Sequence, residues 1–259
     1  MKVAAIQHDI VWEDAAATCR HLDPMIAGAA ASGARLVVMS EMFSTGFTLA
    51  PDRVAEPIEG PSSAWLHEQA THHQVWTCAS VPIIDPAKAR PVNRLFLFAP
   101  DGTMHHYDKI HPFSYGGEDE HYEAGTQFLT VDIEGLKTSF FICYDLRFGD
   151  EFWQLAPVTD CYVVPASWPE ARRLPWQSLL QARAIENQAY VIGVNRVGSD
   201  PTLTYMGDSR IIDPVGELLA TGAKSVATLI AEVDPAVVAA ARARFRFGQD
   251  RRTASYFAD

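Results

Sequence analysis

RLVVMSEMF (35–43) comes back in outline as CYVVPASWP (161–169). Each passage is a short run of β-formers centred on Val-Val, closed by a polar residue and then an aromatic one. An echo of this kind implies two related halves, each a sheet covered on one face by helices. Such halves bury their bare faces by stacking sheet on sheet, which predicts an α/β fold of four layers, an α-β-β-α sandwich. The flanking sequence agrees with this: β-rich runs at 2–8, 75–83, 92–100, 103–109, 128–133, 136–143, 190–198, 208–213 and 226–234 alternate with helical periodicity at 13–32, 62–73, 149–157, 173–189 and 235–246. Pro24 should kink or restart the first helix. Turn signals fall at Pro100-Asp101-Gly102, Glu134-Gly135 and Pro214-Val215-Gly216. No linker or low-complexity tract interrupts the chain, so one domain is expected over residues 1–259.

The chain has 259 residues, 48% of them hydrophobic, which is enough for a substantial core. Its net charge of -11 and pI near 5.2 argue against a general nucleic-acid or anionic-membrane surface, because both need clustered Lys and Arg. No stretch approaches the roughly 20 apolar residues of a membrane span, and the N-terminal apolar run is too short for a secretory signal. A cytoplasmic enzyme acting on a small molecule is therefore expected. In a reducing compartment Cys19, Cys78, Cys143 and Cys161 are free thiols, and none has C-x-x-C spacing.

In open α/β sheets ligands collect beyond the carboxyl ends of strands. Three chemically capable residues fall at such ends: Glu41, Lys109 and Cys143. The cysteine lies in SFFICYDLRFG (139–149), where an apolar strand breaks into charge. A cysteine nucleophile needs a base, usually histidine, yet all nine histidines lie at or before position 121, so arrangements with the histidine after the cysteine are excluded. The glycines of a nucleophile elbow are missing as well. A zinc reading of HEQATH (67–72) fails, since residues five apart are turned about 140° from one another on a helix. His105-His106 point to opposite faces of a strand. There remain Glu41, at the edge of the core and suited to act as a general base, and Lys109, whose ammonium would stabilise a thiolate or an oxyanion.

Glu41 in VVMSEMF, Lys109 in YDKIHPF and Cys143 in FFICYDLRF together resemble the Glu-Lys-Cys triad of the nitrilase, or carbon-nitrogen hydrolase, superfamily. The similarity runs over nearly the whole chain. EMFSTGFT, SYGGEDEHYEAG and SWPEARRLPWQ bring it nearest to the bacterial omega-amidase branch. The resemblance implies the nitrilase-type four-layer sandwich and cysteine-dependent hydrolysis of a terminal carboxamide, of the 2-oxoglutaramate or succinamate type, through a thioester. Within it Glu41 is the base, Cys143 the nucleophile, and Lys109 with the Tyr144 backbone N–H the oxyanion hole. Glu118 matches a further glutamate that the family keeps at the site, with Glu120 the neighbour it could be confused with.

Arg172 matches the branch's arginine four residues after the tryptophan and is the candidate for the substrate carboxylate, whereas Arg173 is expected to pair with a protein carboxylate. Phe43, Phe47, Tyr115 and Trp168 are candidate pocket walls, and the helix after Arg172 is expected to start near Pro175. No metal or organic cofactor is implied. Family likeness also implies a homodimer or higher homo-oligomer, with 244–259 as a possible intersubunit arm. Rival readings are an amidase for a modified peptide such as deaminated glutathione, a nitrile hydrolase, or a non-catalytic thiol protein of redox or binding function.

Overall fold

The computed structural model describes residues 1–252. The first half contributes β1 (Lys2–Gln7), α1 (Ala15–Ala31), β2 (Ala34–Val38), α2 (Pro51–Val54), β3 (Glu56–Pro57), α3 (Pro61–His73), β4 (Trp76–Ile84), β5 (Val92–Phe98), β6 (Met104–Asp108) and α4 (Glu118–His121). The second contributes β7 (Thr130–Ile133), β8 (Leu136–Phe140), α5 (Gly149–Leu155), β9 (Cys161–Ala166), α6 (Arg173–Asn187), β10 (Tyr190–Asn195), β11 (Val197–Ser199), β12 (Thr204–Ile212), β13 (Leu218–Ala223), β14 (Ala227–Glu232) and α7 (Pro235–Arg244). One sheet has the order β14-β1-β2-β4-β5-β6 with β3 on β4, and the other β11-β12-β10-β9-β8-β7 with β13 on β12. The echoed strands occupy matching places: β2 runs parallel between β1 and β4, and β9 runs parallel between β8 and β10.

Period-two alternation builds the layers. In β1, Val3 and Ala5 join Leu36, Val38, Phe140, Val163 and Ile192 in a core between the sheets. Ala4 and Ile6 point the other way, to Leu22 and Ile26 of α1 and Leu66 of α3. The second sheet turns Tyr162, Val164 and Val191 outward onto Phe152, Trp176 and Leu180 of α5 and α6. The order is thus α-β-β-α, as the echo predicts. The halves are not simply sequential, however. β14, near the end of the chain, lies antiparallel on β1 with Val3 opposite Ala231, and so closes the first sheet with a strand of the second half.

α1 does not restart at Pro24, because the helix runs unbroken through it. An interior proline costs about 3 kcal/mol, but the same helix buries the stripe Thr18, Leu22, Ile26 and Ala29 and is capped by Asp14, which accepts a bond from Ala17 N–H at 2.9 Å. Burying Leu22 and Ile26 alone contributes about 3–6 kcal/mol, which outweighs the local cost. α6 begins at Arg173, two residues earlier than Pro175 suggests. Of the proposed arm, Arg251 folds back on its own chain, donating to the Trp153 carbonyl with its guanidinium 4.6 Å from that indole ring. Residues 253–259 of the arm lie outside the described residues. Among the described residues no helix is long and apolar enough to cross a membrane.

Candidate active site

Glu41, Lys109 and Cys143, far apart in sequence, meet in one cleft together with Glu118. β2 ends at Val38, and the next residues carry the buried Glu41. β6 ends at Asp108, and Lys109 follows, its N–H bonded to the Asn93 carbonyl at 3.0 Å. Gly125 holds this strand end from the other side: its N–H bonds the Lys109 carbonyl, and a Cβ there would lie 2.1 Å from the Asp108 oxygen. The Lys109 ammonium lies 2.8 Å from Glu41 Oε1 and 2.7 Å from Glu118 Oε2. Asn93 Nδ2 donates to both carboxylates, at 2.9 and 3.1 Å. Glu118 also accepts the Phe113 N–H at 2.6 Å. Glu120 is exposed, which settles which of the two glutamates faces inward.

The two echoed strand ends touch at this point. Ser167, just past β9, donates its N–H to Glu41 Oε2 at 2.9 Å and its hydroxyl to the Glu41 carbonyl at 3.1 Å. One carboxylate of the first half is therefore oriented by the second. Asn195, at the end of β10, fixes the neighbouring residue by accepting the Trp168 N–H at 2.7 Å and donating to its carbonyl at 3.0 Å.

Electrostatics in this dry cluster decide the protonation states. Burial works against the Lys109 ammonium, but Glu118 and Glu41 more than offset it and hold its pKa well above that of an ordinary lysine. Burial raises the Glu118 pKa, with Glu41 adding to the rise and Lys109 opposing it. Burial and then the Glu41 charge push the Cys143 thiol well up, against the pull of Lys109. At rest Cys143 is therefore a thiol, not a preformed thiolate. Glu41 lines the same cleft as the sulfur and is the carboxylate placed to take its proton. Lys109 has three N–H donors, two of them used, so one remains for a substrate oxygen.

Cys143 is a sharp elbow without the usual glycines. It opens a 3-10 turn (Cys143–Arg147) with φ +47°, left-handed for a residue that carries a Cβ. Such a conformation costs about 1–3 kcal/mol and persists only where the surroundings enforce it. Asp145 is the enforcer. Fully buried, it accepts Ile142 N–H and the Tyr107 hydroxyl on one oxygen, each at 2.8 Å, and His111 N–H and Nδ1 on the other at 2.9 and 3.0 Å. One carboxylate thereby staples the cysteine turn to the segment that carries Lys109. The Tyr144 N–H, at the start of the turn, has no intrahelical acceptor and is available to an oxyanion.

The cleft, about 430 Å³ including the part open to solvent, is walled by Phe47, Phe113, Trp168, Leu203 and Tyr205, with Arg147 and Arg172 also lining it. Phe47 lies under the Lys109 ammonium, 5.4 Å away. Arg172 and Trp168 are where the sequence reading expects them, and Trp168 Nε1 bonds the Arg172 carbonyl at 2.7 Å. Arg173 turns away to Asp208, its Nη2 2.9 Å from Oδ1.

Two of the expected walls are wrong. Phe43 is fully buried behind the sheet, stacked on Trp65 at 5.5 Å, because Met42 takes φ +43° and breaks the strand alternation that would have kept Glu41 and Phe43 on one face. Tyr115 is 87% exposed and does not line the cleft; its neighbour Phe113 does. Asn93, Asp145, Ser167 and Asn195 escape the sequence reading. Each is a small polar residue at or near a strand end, and only Ser167, at the end of the echo, carries a signal. Among the described residues no group of His, Cys, Asp and Glu is placed to hold a metal.

A thiol, a carboxylate and a buried ammonium thus share one cleft of a four-layer sandwich. The carbon-nitrogen hydrolase family model matches residues 2–243, and the chain belongs to this family. It is a hydrolase of the nitrilase superfamily, similar to omega-amidase YafV of Escherichia coli K12, with 39% identity covering 96% of both chains. It is also 33% identical to 2-oxoglutaramate amidase of Bacillus subtilis 168 over 78% of each. Among solved structures, a CN-hydrolase superfamily protein of Xanthomonas campestris with an arsenic adduct in its active site matches with a TM-score of 0.92, 32% identity and 99% of both chains covered. Yeast Nit3, of branch 10 of the nitrilase superfamily, matches with a TM-score of 0.87 at 25% identity, covering 95% of this chain and 94% of its own.

Proposed function

We propose that this protein is an omega-amidase, hydrolysing the terminal carboxamide of a dicarboxylic acid monoamide such as 2-oxoglutaramate or succinamate to the acid and ammonia. The observation that carries the reading is Glu41 bridged to Lys109 beside a half-buried Cys143, in a cleft also lined by two arginines. Similarity to omega-amidase YafV and to 2-oxoglutaramate amidase supports the same substrate class.

Glu41 takes the thiol proton as sulfur attacks the amide carbon. The C=O pair moves onto oxygen, which Lys109 and the Tyr144 N–H receive; one such donor is worth about 10²–10³ in rate. Collapse expels the amine, Glu41 returns the proton, ammonia leaves and a Cys143 thioester remains. Water deprotonated by Glu41 attacks that thioester, and the thiolate leaves and is reprotonated. Glu118 positions Lys109 throughout and the protein works as a homo-oligomer. The test is ammonia release across a panel of 2-oxoglutaramate, succinamate, deaminated glutathione and short nitriles, with acid-quench mass spectrometry for an acyl adduct on Cys143. Stoichiometric ammonia and an adduct on omega-monoamides support the reading. Turnover confined to the peptide amide or the nitriles would replace it, and a thiol that oxidises reversibly without turning over any of them would end it.

A further inference from the structure

The cleft has a charge balance opposite to that of the protein. Its charged lining is Glu41, Lys109, Arg147 and Arg172, one carboxylate against three cations, in a chain of net charge -11. Counting Glu118 behind Lys109 still leaves an excess of one positive charge. Glu41 is already engaged by Lys109, so the arginines have no acidic partner in the cleft. Among the described residues neither Arg147 nor Arg172 has a carboxylate within salt-bridge distance, whereas Arg94 has two and Arg173, Arg183 and Arg196 have one each.

The two unpaired guanidiniums are held instead by aromatic faces. Arg147 lies 4.9 Å from the Trp168 ring and Arg172 lies 5.1 Å from the Phe113 ring. Stacking occupies the face of a guanidinium and leaves its N–H edge free, and the edge is what grips a carboxylate bidentately. The two residues also reach the cleft by independent routes. Arg147 closes the same five-residue turn that Cys143 opens, so its position is tied to the nucleophile. Arg172 sits in the loop after β9, fixed by the Trp168 indole.

We propose that Arg147 is a second specificity-determining residue, forming with Arg172 a two-arginine clamp on the carboxylate distal to the scissile amide. The inference rests on the amidase reading for its substrate and adds to it a residue and a geometry. A carboxylate presents two oxygens and about four lone-pair sites, so it can receive one fork from each side. Because Arg147 is anchored on the nucleophile's turn, the clamp also acts as a ruler, favouring chains in which carboxylate and amide are a fixed distance apart. Substrate and transition state keep the same distal carboxylate, so the clamp acts mainly through KM.

The experiment measures kcat/KM for 2-oxoglutaramate and succinamate and for the uncharged amides butanamide and pentanamide, in wild type, Arg147→Met, Arg172→Met, the double variant and Arg147→Lys. A charge-assisted contact of this kind is worth about ten- to hundredfold. The expected result is that the anionic-to-neutral ratio falls at least tenfold in Arg147→Met, chiefly through KM, and that Arg147→Lys recovers part of it. The double variant should lose less than the product of the single losses, because both groups hold one carboxylate. A ratio in Arg147→Met within twofold of wild type overturns the clamp while leaving the amidase reading intact. If the wild type releases no ammonia from any of these amides, that reading fails and calorimetric titration with glutarate decides the clamp alone. Binding weakened tenfold in Arg147→Met sustains it, and binding that is absent or unaltered overturns it.

Discussion

Replacing Lys109 by Met separates what the lysine does for the reaction from what it does for the fold. The ammonium is buried between Glu41 and Glu118 at 2.8 and 2.7 Å. Removing one partner of a buried ion cluster leaves uncompensated charge in low dielectric, at a cost of about 3–5 kcal/mol. For a chain of this length that is a fall in melting temperature of roughly 6–20 °C. The cost should depend on pH in a definite sense. Burial already holds the folded Glu118 pKa above its ordinary value, with Lys109 opposing the rise, so loss of the lysine raises it further. A carboxyl with a raised folded pKa binds more protons when native, so the variant should gain stability relative to wild type as pH falls from 8 toward about 5, and lose it as pH rises. Activity should drop by at least 10²–10³, the worth of one oxyanion donor, and acidification should not restore it. Adding Glu118→Gln removes the second charge and leaves Glu41 bonded to Asn93 and the Ser167 N–H. The double variant should recover most of the stability and none of the turnover. Urea melts at pH 5, 6, 7 and 8 beside ammonia assays read both quantities. A loss of less than tenfold in kcat/KM would reduce Lys109 to a structural ion, and a stability cost independent of pH would refute the electrostatic account.

Cys143→Ala should abolish ammonia release and the acyl adduct while circular dichroism and the melting profile stay close to wild type, since only a sulfur is lost from a φ the chain already enforces; wild-type-like turnover would remove the nucleophile. Glu41→Gln keeps the shape of the base without its proton affinity, so stopped-flow acylation should nearly vanish even at saturating substrate, and a normal burst would contradict the assignment. Asp145→Asn withdraws the charge that receives Ile142, Tyr107 and His111. Burial alone would lower the His111 pKa, but Asp145 and then Glu151 raise it above its ordinary value, so its NMR titration midpoint should fall in the variant and kcat should drop more than tenfold as the elbow loosens. An unchanged midpoint would mean the contact does not form in solution. Light scattering at micromolar concentration should report a dimer or larger, and a monomer would count against the oligomer proposal.

Much of this protein was legible in its sequence because the information was local. The Val-Val echo at 35–43 and 161–169 predicted two stacked sheets, since period two and β-branching are read from neighbours along the chain. Glu41, Lys109 and Cys143 stood out because each closes a strand-like run, and strand ends are where open sheets expose chemistry. Arg173 could be set aside in favour of Arg172 by resemblance to a motif. The remainder depended on contacts between segments far apart in sequence. Phe43 was expected to wall the pocket, but with Met42 left-handed it packs on Trp65 behind the sheet. β14 left the half in which it lies to pair with β1, a contact between the two ends of the chain that no local pattern signals. Asn93, Asp145 and Ser167 look like ordinary polar residues until folding aims them at Glu41, Glu118 and the cysteine turn. Nor does CYDLRF by itself show that Arg147 lacks an acidic partner. Pairing is a question of which charges lie within about 4 Å, and in a chain with 32 acidic residues only the packed structure decides that.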